Sequence, residues 1–166
     1  MVLLGSDPRE FSVIDLSFLS CLNLDQIIYG DLFLKFNSLI PELYVLDFQK
    51  SIGFYTQILG FKVEYQREEP KFAFLSYQKS QLMIQQEDDN EEWHNAKPEY
   101  PFGRGINFQI ETNNVQQLVD NLKKNNYPLK RSLKDSYYKT GDGLYGYREF
   151  LIMDLDGYLL RFSQPI

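Results

Sequence analysis

Histidine and cysteine are the side chains most often found on metals or as nucleophiles, and this 166-residue chain has one of each, His94 and Cys21. A single histidine excludes every two-histidine metal motif. A single cysteine excludes an intramolecular disulfide and a Cys-rich zinc site. The two fall in segments of different character, so a thiolate–imidazole pair is not expected, and no Ser-His-Asp arrangement suggests itself. Gly141-Asp142-Gly143 lacks the lysine and the strand-to-helix setting of a phosphate loop. Carboxylates gather at Glu87 to Glu92, a run that reads as a solvated loop. Rings are abundant instead: 12 Tyr, 13 Phe and one Trp bring the aromatic share to 16%. They fill cores, but they also line pockets for flat organic ligands.

Charge narrows the partners. Asp and Glu number 23 against 17 Lys and Arg, a net charge of −6. A nucleic-acid binder needs a basic footprint, so this balance argues against one. As a bulk tendency an acidic field favours cationic small molecules. Hydrophobic residues at 43% and charged residues at 24% are enough to build a packed core. No run of about 18 uninterrupted apolar residues is present, so no membrane span is expected. The opening Met1 to Glu10 lacks a basic n-region and a long apolar h-region, which makes the cytoplasm the expected location.

The elements that must position any site are legible from residue 38 onward. Residues 1–37 hold apolar clusters without clean periodicity and read as an N-terminal extension of unknown role. Leu39 to Val45 alternates as a strand. Asp47 sits where an N-cap belongs. Phe48, Ile52, Tyr55 and Leu59 share one helix face, and Gly60 closes it. Strands follow at Phe61 to Arg67, Lys71 to Tyr77 and Gln81 to Gln86, giving a βαβββ module over 38–86. Residues 87–103 read as a linker or lid. A second module, 104–166, repeats the order. Ile106 to Glu111 is its first strand and Thr112 to Asn114 offer caps. Val115, Leu118, Val119 and Leu122 mark a helix face ending at Asn125-Asn126. Tyr127 to Arg131 is read as a strand, Ser136 to Tyr145 as a Tyr- and Gly-rich loop, and Gly146 to Met153 and Tyr158 to Ser163 as strands. Phe48 matches Val115, Ile52 matches Val119 and Tyr55 matches Leu122 at a constant offset, a duplication of pattern. The expected fold is α+β, two βαβββ modules forming a curved mixed sheet around a central cleft.

Three segments carry a resemblance. Tyr44-Val45-Leu46-Asp47-Phe48-Gln49-Lys50-Ser51-Ile52-Gly53-Phe54-Tyr55, running into Ile58-Leu59-Gly60-Phe61, is typical of a first module. Asp154-Leu155-Asp156-Gly157-Tyr158 looks like a D-P-D-G-Y pattern with Leu155 in place of Pro. Pro101 to Asn107 resembles a second-module opening. Together they resemble the vicinal oxygen chelate superfamily of glyoxalases, bleomycin-resistance proteins and extradiol dioxygenases, over residues 38–166. The likeness is greatest to the bleomycin-resistance-like members.

The resemblance implies a place where relatives hold a divalent ion, one ligand from each of four strands. Carried over by register, those positions are Ile40, Met83, Asn107 and Arg161. Ile has no donor atom, Met suits soft metals, Asn is a weak neutral donor and Arg is a permanent cation. The expectation is therefore no metal, no cofactor and no catalytic residue of the family type. Strand alternation then gives the cleft Glu42, Asn107, Gln109 and Arg161. A Glu42–Arg161 pair there would be either a ligand contact or a salt bridge filling the old metal position. Around it stand Trp93, Tyr100 and Phe102 from the linker and Tyr137, Tyr138, Tyr145 and Tyr147 from the second-module loop. Single rings of this kind also cover cores and interfaces. The resemblance implies a cytoplasmic homodimer that sequesters a small molecule, a bleomycin-type antibiotic among the candidates. The alternative is a superfamily enzyme with a divergent active site, using either a rearranged metal site or metal-free acid/base chemistry through Glu42.

Overall fold

The computed structural model describes residues 3–4, 12–13, 35–88 and 96–166. The chain divides into two compact units, Met1–Lys35 and Phe36–Ile166. In the first, β1 (Leu3–Leu4) pairs antiparallel with β2 (Ser12–Val13).

The second unit opens with β3 (Glu42–Val45), α1 (Phe48–Gly53) and a π-helical turn (Phe54–Ile58). It continues through β4 (Lys62–Arg67), β5 (Phe72–Tyr77) and β6 (Ser80–Gln86). After the linker come β7 (Asn107–Glu111), α2 (Val115–Lys124), β8 (Arg131–Thr140), β9 (Gly143–Met153) and β10 (Leu159–Pro165). Both helices start as the sequence dictates. Asp47 Oδ1 accepts from the Lys50 N–H at 3.1 Å, and Asn114 Oδ1 accepts from the Gln117 N–H at 3.1 Å. The first helical run ends at Gly60, whose φ of 79° lies in the left-handed region glycine tolerates.

Two four-stranded sheets result, in the orders β3-β6-β5-β4 and β7-β10-β9-β8. In each, the first strand lies parallel to the last and the other pairs are antiparallel. This is the duplicated α+β pattern expected from the register. Period-2 alternation sends Leu43, Val45, Leu75 and Ile84 to one face of their sheet and Ile110, Phe150, Ile152, Leu160 and Phe162 to one face of the other. All join Tyr55, Leu59, Leu118 and Leu122 from the helices in one hydrophobic core. Contacts cross between the modules: Phe54 lies 4.7 Å from Tyr127 and Tyr77 lies 6.0 Å from Phe162, ring centre to ring centre. The sheets are two rather than one, because β3 and β7 are both edge strands and the modules join through their helix-bearing faces. The centre of the unit is core; the opposite face of the second sheet gathers polar side chains, whereas that of the first still buries Phe72 and Phe74.

One expected element changes. Ser136 to Tyr145 is not a loop but part of the long β8–β9 hairpin, turning at Gly141-Asp142. Its tyrosines fit a pleated surface, and Gly141-Asp142 form the two-residue connection between the strands. Of the expected strand Tyr127 to Arg131, only Arg131 belongs to β8. The Tyr127 hydroxyl instead donates to the Met153 carbonyl at 2.7 Å. Among the described residues no helix is long and apolar enough to cross a membrane.

Candidate functional site

The outward face of the second sheet gathers polar side chains by register. Gln109 on β7 lies opposite Arg161 on β10, Arg161 opposite Leu151 on β9, and Leu151 opposite Arg131 on β8. The next row runs Glu111, Ser163, Glu149 and Lys134. Beyond it, Tyr145 lies opposite Tyr138. These strands frame a hollow of about 350 Å³ lined by Gln109, Tyr138, Thr140, Tyr145, Tyr147, Glu149 and Arg161.

Glu149 is its polar floor. The residue is 1% exposed, and its Oε1 accepts from Arg131 Nη2 and from the Tyr138 hydroxyl, both at 2.7 Å. Arg161 Nη1 lies 3.8 Å from the other oxygen. Burial pushes the carboxyl upward. Hydrogen bonds from Tyr138, Ser136 and Arg131, with the Arg131 charge, outweigh it and hold the group below its ordinary value. Glu149 is thus an anion at neutral pH. Arg161 Nη2 donates to Gln109 Oε1, while Gln109 Nε2 donates to Ser163 Oγ at 3.2 Å. The amide is thereby oriented with its oxygen toward the guanidinium.

The residues expected at the site separate. Gln109, Tyr138 and Arg161 meet in this hollow. Asn107 lines a neighbouring one of about 300 Å³, together with Leu39, Pro41 and Gln109. Phe102 is buried edge-on against Tyr158 at 5.9 Å and borders a larger hollow of about 750 Å³ beside Tyr44 and Arg104. Tyr100 is exposed, and its carbonyl accepts from Arg104. Tyr137 is 63% exposed and, one residue from Tyr138, falls on the opposite face of β8. Trp93 lies outside the described residues, as do His94 and Cys21.

Glu42 requires a correction. It is exposed on the other sheet, opposite Met83, and the expected Glu42–Arg161 pair does not form. The carboxylate beside Arg161 is Glu149. The hollow beside Arg161 is lined from the second sheet alone. Burial pushes the Glu42 carboxyl up, with Arg67 opposing. Tyr145 and Tyr147, expected around the cleft, line the hollow; Glu149 and Thr140 are the lining residues absent from the expected site. Continuing the strand alternation from Tyr145 and Tyr147 would have reached Glu149.

Met83 pairs with Glu42 rather than Ile40, and Arg161 with Gln109 rather than Asn107. One pair offers a carboxylate and a thioether on the first sheet, the other an amide and a guanidinium on the second. Neither pair fits a divalent ion, which needs several hard anionic or oxygen donors. No cluster of three or more His, Cys, Asp or Glu able to hold one occurs among the described residues.

A family model described as the Glyoxalase/Bleomycin resistance protein/Dioxygenase superfamily matches residues 35–162. Bleomycin resistance proteins from Geobacillus stearothermophilus and Staphylococcus aureus are each 29% identical to this chain over 140 residues, covering 76% of it and 96% of their own length. Among solved structures, TioX from Micromonospora sp. ML1 is 16% identical with a TM-score of 0.59, covering 78% of this chain and 100% of that one. A virulence protein from Salmonella typhimurium is 18% identical with a TM-score of 0.56, covering 80% and 100%. At such identities the two structures speak to fold alone.

Proposed function

The chain belongs to the Glyoxalase/Bleomycin resistance protein/Dioxygenase superfamily, and from that premise we propose that it binds a ring-bearing small molecule and sequesters it unchanged. A bleomycin-type antibiotic is among the candidates. The observation that carries this reading is the hollow on the second sheet, a buried ionised carboxylate braced by an arginine and a tyrosine beneath tyrosine walls. A few fixed polar groups within an aromatic lining are what an organic ligand site consists of. The bleomycin resistance proteins at 29% identity support the ligand class. The side chains of the Glu42–Met83 and Gln109–Arg161 pairs favour binding over metal-assisted chemistry.

The reading includes a homodimer acting in the cytoplasm. The hollow is lined from one sheet only, so a second copy can supply the wall it lacks, and sedimentation velocity measures that assembly. Titration calorimetry with bleomycin tests the ligand. Saturable binding, with the drug recovered unchanged by mass spectrometry, is the expected result. Absence of binding removes bleomycin from the reading. Recovery of altered drug replaces sequestration with catalysis.

A further inference from the structure

We infer that the hollow on the second sheet takes an organic anion, with the carboxylate of an aromatic ligand seated on Arg161. This rests on the reading of that hollow as a ligand site and goes beyond it, since the charge of the whole chain points the other way.

The local balance is opposite to the net −6. By register, the outward face presents Arg131, Lys134 and Arg161 against Glu111 and Glu149. Two of those cations differ in how they are satisfied. Arg131 bonds Glu149 Oε1 at 2.7 Å, an oxygen that also takes the Tyr138 hydroxyl. Arg161 meets only the far oxygen, at 3.8 Å. That exceeds the roughly 2.7–2.9 Å of a charge-assisted hydrogen bond. Its hydrogen bond goes to the neutral Gln109 amide, while its Nε, like that of Arg131, has no hydrogen-bond partner. Arg161 is therefore a positioned guanidinium without a hydrogen-bonded carboxylate of its own. Glu149, with one oxygen doubly engaged, cannot serve both arginines equally.

A ligand carboxylate supplies what is missing, because a guanidinium presents parallel N–H donors that match its two oxygens. The Tyr145 and Tyr147 side chains line the same hollow and offer ring surface to a flat body attached to that carboxylate. A cationic group of the same shape would face Arg161 with only the half-engaged Glu149 to offset it.

Titration calorimetry on the full chain with 2-naphthoate and with 2-naphthylmethylamine, which share a ring system and differ in charge, tests the inference. Naphthoate is expected to bind at least about tenfold more tightly, the scale of one hydrogen bond to a charged group, and to weaken as salt rises. Arg161→Gln should lose most of that affinity, and Arg161→Lys should retain part of it. Arg148→Gln removes a charge from the opposite face of β9, where Arg148 pairs with Asp135, and should leave naphthoate binding unchanged. Circular dichroism verifies that each variant is folded. Tighter binding of the amine overturns the charge assignment and leaves the pocket standing. Equal loss in Arg148→Gln, or none in Arg161→Gln, overturns the placement on Arg161. If bleomycin binds and neither naphthalene does, this inference alone fails; if none of the three binds, the proposed function fails with it.

Discussion

Asp154 is 4% exposed, yet three donors converge on it. Its Oδ2 accepts from the Tyr55 hydroxyl at 2.8 Å, and Oδ1 accepts from the backbone N–H groups of Asp156 and Tyr158. Burial still wins. It pushes the carboxyl up to about 6 from the usual 3.8, against the Tyr55 and Tyr158 bonds and with the neighbouring Asp156 charge adding to it. A folded-state value above the unfolded one means the folded protein holds this proton more tightly. The group's stabilising contribution is therefore full below about pH 4 and is lost as pH rises through 6, by about 3 kcal/mol. Asp154→Asn cannot titrate there. Urea unfolding of both proteins should show the wild type's stability relative to the variant falling between pH 4 and pH 7. A difference that stays constant with pH would contradict the dominance of burial. The Asp154 to Tyr158 segment was legible in the sequence only as a likeness, because the Tyr55 that receives Asp154 lies 99 residues away. Glu149 escaped notice at this scale for a related reason. Its role comes from Arg131 and Tyr138 on the neighbouring strand, and its own flanking residues do not announce it.

At the scale of elements, the β9–β10 turn shows why one glycine is irreplaceable and another is not. Gly157 has φ of 93°, and a Cβ placed there would stand 2.5 Å from Pro101 Cβ and 2.7 Å from Pro101 Cα. The linker lies that close because the Phe102 N–H donates to the Asp156 carbonyl at 2.9 Å. Gly157→Ala therefore combines left-handed strain with a clash against backbone, and should cost about 1–3 kcal/mol. Gly141, at the β8–β9 turn, has nothing within 4 Å of the same position. Gly141→Ala should change the thermal midpoint little, and comparing the two variants by differential scanning calorimetry checks the contrast. An equal loss in both would mean that the packing of the linker on the turn contributes nothing. The same two turns explain what could be read in advance. Caps, helix faces and short alternating strands are set by neighbours in sequence, so Asp47, Asn114 and the Val115–Leu122 face appeared where expected. The β8–β9 hairpin was mistaken for a loop because its glycines drew more weight than the strand propensity of its tyrosines.

For the whole molecule the decisive feature is that both modules bury their apolar faces in the same core. No periodicity in either half shows whether two sheets join edge to edge or through their helix-bearing sides. That choice is made by long-range contacts such as Tyr77 on Phe162, and it is why Glu42 and Arg161 were expected together. A shared core also has a thermodynamic consequence. Phe162 on β10 is fully buried, stacked on Phe150 at 5.4 Å and edge-on to Tyr77 of the first module at 6.0 Å. Phe162→Ala should cost about 3–5 kcal/mol, combining lost transfer energy with a cavity. If the core is one cooperative unit, that loss is felt on both sides. Native-state hydrogen exchange reads it directly, with β5 amides in the first module and β9 amides in the second losing protection by the same free energy. Loss confined to β9 would mean that the modules open separately, and the contacts between them would then be surface docking rather than a common core.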